Sequence, residues 1–90
     1  MRKIYKNIFK KFFTKNLLQK RDQLDITQEE TADLLHMSHR AYSKLEHEEG
    51  SCNGLTLALY LIYVEPDPLG FLAELKEALE HDNTEEEKAV

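Results

Sequence analysis

Ninety residues, 41% of them hydrophobic, suffice for one small domain with a modest apolar core. The only cysteine, Cys52, excludes a disulfide framework and makes a reducing compartment the natural setting. The net charge of −5 is unevenly spread: residues 1–21 carry +8 and no acid, while residues 22–90 hold all seventeen acids and sum to −13. A polyanionic partner is therefore not excluded, because such contacts depend on the local face presented. The same balance predicts weak non-specific binding and an acidic side turned away from that partner.

In chain order, residues 1–7 read as a basic arm. Phe9, Phe13 and Leu17 then recur every fourth residue, with Leu24 one heptad further. Ile8 and Phe12 widen the stripe and lysines fill the rest, which predicts an amphipathic first helix over residues 8–24. Asn7 or Thr14 is expected to cap its start. Lys10, Lys11 and Lys15 interrupt any apolar core that a secretory signal would need, so none is expected. Residues 3–18 taken alone also fit a cationic helix lying on a membrane surface. The domain's own first helix is the preferred reading.

Asp25-Ile26 breaks the pattern. Thr27 begins a second helix, and Glu30 three residues later completes a capping box. Ala32 and Leu35 form its inner face, and His36-Met37 make the turn. Ser38 is the expected N-cap of a third helix reaching about His47, with Tyr42 and Leu45 facing inward. Residues 48–54 read as a loop. A fourth helix over residues 55–64 is apolar almost all round, which predicts a buried central helix. Its longest apolar run is too short to cross a bilayer. Glu65-Pro66 ends it, and Asp67-Pro68 supplies an N-cap with proline at the first helical position of a fifth. There Leu72, Leu75 and Leu79 form a stripe beside Phe71 and Ala78, expected to pack on the domain's own core. Surplus apolar area on the fourth or fifth helix would form a dimer seam. From Asp82 the chain is polar and acidic, and a flexible tail over residues 82–90 is expected. The domain proper is then 8–81.

Residues 27–46 thus hold two short capped helices across a tight turn, the outline of a helix-turn-helix whose second helix can lie in the major groove of DNA. Arg21, Thr27-Gln28, Ala32, Ser38 and Leu45-Glu46, at their joint spacing, resemble the Xre/Cro-type, lambda-repressor-like helix-turn-helix family over about residues 17–61. The resemblance implies an all-α, five-helix fold. It implies a sequence-specific DNA-binding transcriptional regulator, a repressor, reading the major groove with the third helix, about 38–47. It further implies a homodimer on a palindromic operator, in the cytoplasm of a bacterium or of a cell hosting a phage or mobile element.

Site residues follow from the same resemblance. Arg21 and Glu46 match a structural ion pair that clamps the first helix to the end of the third. Gln28 matches a glutamine that bonds a phosphate, and Ser38 opens the third helix while backbone amides there sit near a phosphate. With Tyr42 and Leu45 inward, His39, Arg40, Ser43 and Lys44 project outward, where family side chains reach base edges and phosphates. Arg40 suits a bidentate contact to guanine, and Lys44 suits a base or a phosphate. Ala32 is small because the two helices meet closely at the corner. The chain departs from the family at Thr31, where leucine is usual, and at His36, where glycine often adopts a left-handed conformation. Glu48 and Glu49 follow the third helix where glycine and a basic residue are common. Those acids favour the alternative of a helix-turn-helix repurposed as a protein-interaction module, antitoxin-like or anti-repressor.

Other chemistry is not expected. His36, His39 and His47 with an isolated Cys52 do not make a metal-ligand set, and no cofactor is implied. There is no catalytic constellation and no glycine-rich phosphate loop, so the chain does not read as an enzyme. No membrane partner or small-molecule ligand is expected. Cys52 lies near the start of the fourth helix, where the dipole could favour a thiolate. A packed or idle thiol is the preferred reading.

Overall fold

Five helices follow one another in the computed structural model: α1 (Arg2–Leu24), α2 (Gln28–Leu34), α3 (His39–Glu46), α4 (Gly54–Tyr63) and α5 (Pro68–Ala89). The structure describes residues 2–50 and 52–89, with side chains as far as residue 81, and no strand occurs among them. The flexible tail expected over residues 82–90 lies outside the residues whose side chains are described. The chain is all-α, as the sequence pattern predicts.

The residues read as a separate basic arm are instead the first turns of α1, which starts at Arg2. No proline or glycine interrupts residues 2–24, so nothing stops the helix from extending upstream of its buried face. Neither Asn7 nor Thr14 caps it, since both lie inside. Thr14 is buried, and its hydroxyl donates to the Leu45 carbonyl at 3.0 Å, fastening α1 to α3.

α1 packs along α5 and across α3, while α2 packs on α3 and α4. Their shared core holds Phe13, Leu17, Ala32, Leu35, Tyr42, Leu45, Tyr60, Val64 and Phe71. Each large apolar side chain buried there contributes about 1.5–3 kcal/mol relative to exposure. Aromatic rings form its centre: Phe13 and Tyr60 meet edge to face with 5.1 Å between centroids, and Tyr60 meets Phe71 at 5.3 Å. Thr31, in the place of a leucine, is fully buried, and its hydroxyl donates to the Thr27 carbonyl at 2.8 Å. The polar group therefore carries no unmet hydrogen-bond requirement.

Two expectations about burial are overturned. α4 is not a buried central helix: Leu55 is 68% exposed and Ile62 67%, whereas Thr56 and Tyr60 are covered. Only one face of this ten-residue helix meets the core, and an all-round apolar run does not reveal which face that is. On α5 Phe71 is buried, with Leu75 packed against the core beside it, while Leu72 is exposed. The stripe is rotated by one position from the leucine spacing. Leu24 also lies exposed, at the end of α1.

The turns that position α2 and α3 share one geometry. Asp25, His36 and Glu48 have φ of 54°, 54° and 59°, the left-handed region. After each, two backbone bonds close the preceding helix: Ile26 N–H to Arg21 and Asp25 N–H to Asp22, Met37 to Ala32 and His36 to Asp33, Glu49 to Lys44 and Glu48 to Leu45. These are Schellman closures, which usually place glycine at the left-handed residue. Using three side-chain-bearing residues instead costs roughly 1 kcal/mol or more at each. His36 thus adopts the conformation its position in the turn requires.

Candidate functional site

The helix openings are built from local sequence. Thr27 Oγ1 accepts from Glu30 N–H at 3.1 Å while Glu30 Oε1 accepts from Thr27 N–H, a complete capping box. Ser38 Oγ accepts from Ala41 N–H at 3.1 Å and starts α3. Because Tyr42 and Leu45 are buried, the 3.6-residue period turns the rest of α3 outward. Gln28, His39, Arg40, Ser43 and Lys44 together line one open depression on the outer side of α2 and α3. Ser38 is exposed at the start of the same helix. No acid lies within ion-pair reach of Arg40 or Lys44 among the described residues. The depression therefore presents two cations without an ion-pair partner beside the hydrogen-bonding groups of Gln28, His39 and Ser43, with Glu29 3.9 Å from His39 Nδ1.

Behind it lies a polar clamp. Arg21 Nε donates to Glu46 Oε2 at 2.7 Å, and Arg21 Nη2 donates to Oε1 at 3.4 Å. Tyr42 Oη donates to Glu46 Oε2, and Gln28 Nε2 donates to Oε1 at 2.7 Å. One carboxylate thus gathers donors from α1, α2 and α3. Gln28 has a further consequence. Its Nε2 is committed to a carboxylate that only accepts, so Oε1 is left to accept from His39 Nε2 at 3.1 Å. That bond requires an Nε2–H on His39. The chain Arg21–Glu46–Gln28–His39 links the clamp to the outward face, and Gln28 is held from both sides rather than free to swing toward a ligand.

A second buried carboxylate escapes the sequence reading. Glu65 appears there only as part of a helix terminator, yet it is buried, accepts from Tyr60 Oη at 2.8 Å and lies 3.7 Å from Lys20 Nζ. It repeats the Arg21–Glu46–Tyr42 arrangement one residue earlier along α1. The available signal was the pairing of an adjacent Lys20-Arg21 with two Tyr/Glu spacings, Tyr42 to Glu46 and Tyr60 to Glu65.

Cys52 is not poised as a thiolate. Burial pushes its thiol up to about 12, and Sγ–H donates to the Asn53 carbonyl at 3.6 Å. Tyr42 and Tyr60 are also raised, first by burial and then by their hydrogen bonds to Glu46 and Glu65. All three groups hold their protons more tightly folded than unfolded. Their stabilising contribution is complete below the ordinary values of 9.0 and 10.0 and is lost as pH rises beyond them. Urea midpoints should therefore hold up to about pH 9 and fall steeply toward pH 11, and Tyr60→Phe should soften that fall. A flat profile would refute the coupling. No group of three or more His, Cys, Asp or Glu able to hold a metal ion occurs among the described residues, and no helix there is long and apolar enough to cross a membrane.

Compared with known proteins, residues 17–61, half of the chain, match the protein family described as Helix-turn-helix. No curated protein and no solved structure matches the chain.

Proposed function

The chain belongs to the helix-turn-helix family of the Xre and lambda-repressor-like type, a family of DNA-binding regulators, and on that premise we propose that it is a sequence-specific transcriptional repressor whose α3 reads the major groove. One observation carries the reading: Gln28, His39, Arg40, Ser43 and Lys44 line a single open depression, with Tyr42 and Leu45 anchoring it from behind. Arg40 offers a planar fork to guanine O6 and N7, and Lys44 serves an adjacent base or phosphate. Ser43 and His39 add hydrogen-bonding capacity beside them. Ser38 sits at the start of α3, where a phosphate would approach, and Gln28, held by Glu46 and His39, keeps one amide N–H for the same role. No acid pairs with Arg40 or Lys44 among the described residues, which leaves both able to act despite the net charge of −5. Selection of bound fragments from random duplexes tests this: an enriched motif is expected, and no enrichment at low salt from folded protein would overturn it. That second result would support the protein-interaction reading, antitoxin-like or anti-repressor. Glu48 and Glu49 favour it, being exposed beside the end of α3.

A homodimer on a palindromic operator completes the proposal, and the cytoplasm of a bacterium or of a cell hosting a phage or mobile element is the setting it implies. Two α3 helices would sit about 34–36 Å apart, one turn of the duplex. The apolar side chains left in solvent on α4 and α5 support it: Ile62, Leu72 and Leu69, the last 80% exposed. Ile62→Glu with Leu69→Glu should convert a dimer into a monomer in sedimentation equilibrium. Both side chains are exposed, so monomer stability should change by no more than about 0.5 kcal/mol for each. A wild-type protein that sediments as a monomer at high concentration would refute the dimer.

A further inference from the structure

We propose that a cavity between the first half of α1 and the loop joining α3 to α4 is a binding site for an amphiphilic carboxylate, its alkyl chain on an apolar floor and its head against a lysine rim. The floor is Phe9, Phe13 and Leu45, of which Phe13 and Leu45 are core residues already held in place. The rim is Lys3, Lys6 and Lys10. Their spacing of three and four residues sets them on one face of α1 above that floor.

Three features select the ligand class. The cavity measures about 360 Å³, within the roughly 300–1,000 Å³ of small-molecule sites. No acid lines it, so the three rim lysines offer positive charge to an anion without a carboxylate among them. The apolar floor gives no return to a bare phosphate or a nucleic-acid backbone, whereas it covers a hydrocarbon chain. A single molecule that satisfies both parts must carry an anionic head on an apolar body, as a medium-chain fatty acid does.

The cavity shares no lining residue with the depression on α2 and α3, so the proposal does not rest on the DNA reading. Leu45 nonetheless belongs to α3 and is tied to α1 through Thr14, which puts a bound ligand directly behind that helix. Such a ligand would be an effector of whatever α3 contacts.

Nitrogen–proton NMR with decanoate, below its micellar concentration and without DNA, tests the idea. Saturable shifts are expected at the amides of Thr14, Gly50 and Cys52, around the cavity. Decanol, which lacks the charge, and acetate, which lacks the chain, should each bind at least tenfold more weakly. Lys3→Gln with Lys6→Gln and Lys10→Gln should weaken decanoate at least tenfold and leave decanol unchanged. Lys11→Gln with Lys15→Gln, off the rim, should bind as wild type. Decanol binding as tightly as decanoate, shifts absent from these amides, or an unaltered affinity in the triple variant would overturn the proposal. The three-ligand comparison uses wild-type protein alone, so it decides the matter even if the triple variant does not fold.

Discussion

Arg21→Met should lower the thermal unfolding midpoint by roughly 12–24 °C, the largest loss expected of any single substitution outside the apolar core. The Glu46 side chain is 4% exposed, while that of Arg21 is 28% exposed. Removing the arginine leaves a carboxylate out of water with only Tyr42 and Gln28 as donors. Breaking a buried pair costs about 3–5 kcal/mol, and the partial exposure of Arg21 argues for the lower end. For a chain of this size each 1 kcal/mol moves the midpoint by about 4–8 °C. Glu46→Gln should cost less, about 1–2 kcal/mol, because the freed guanidinium reaches solvent and the amide oxygen still accepts one bond. The order of the two variants in circular-dichroism melts is the decisive reading. Equal and small losses would mean that the pair behaves as a surface ion pair, worth about 0–1 kcal/mol. Added salt distinguishes the cases too, since a buried pair is screened little.

The adjacent Lys20 extends the argument. α1 sends Lys20 to Glu65 and Arg21 to Glu46, and each glutamate also accepts from a buried tyrosine. The first pair fixes the end of α4 and the second the end of α3. A short stretch of one helix thereby sets the placement of two others. In the proposed DNA-reading role, the same contacts that stabilise the fold would also hold the outward side chains of α3 in one geometry.

How much of this was legible in the sequence depends on the range of the interaction. The capping box at Thr27 and Glu30, the Ser38 cap and the outward set on α3 are local, and spacing alone predicts them. The start of α1 was less legible, because lysines and the absence of a breaker look the same in a helix and in an extended basic arm. Burial of α4 was misjudged for a related reason: leucines on every side conceal which face meets the core, and the exposure of Leu55 and Ile62 depends on helices distant in sequence. Glu65 was missed because its partner Lys20 lies far away along the chain, and a glutamate before proline carries a sufficient local explanation. The link from Gln28 to both Glu46 and His39 has no signature in the sequence, since it turns on which end of one amide faces which neighbour.

Arg40→Ala should lower affinity for the duplex selected by the wild-type protein roughly 5- to 150-fold, the 1–3 kcal/mol of one bidentate base contact. Affinity for unrelated duplexes should change far less, so the ratio of the two is the quantity to measure, at fixed salt. Lys44→Ala separates the roles: a phosphate contact would reduce the salt dependence of binding by about one unit and affect all sequences alike. Arg40 stands exposed, with no acid in ion-pair reach among the described residues, and its removal leaves no buried partner stranded. The loss should therefore appear in binding and not in the melting curve, the reverse of the Arg21 result. Glu48→Gly supplies the opposing arm. It removes an acid beside the end of α3 and relieves the left-handed conformation at φ 59°, so it should raise both stability and DNA affinity. If Glu48→Gly stabilises the fold but weakens a protein partner's grip, with DNA binding unaltered, the acids serve the protein-interaction role and Arg40 is an ordinary solvated side chain. If DNA affinity rises while Arg40→Ala abolishes the selected motif, the two acids are a brake on a working reader.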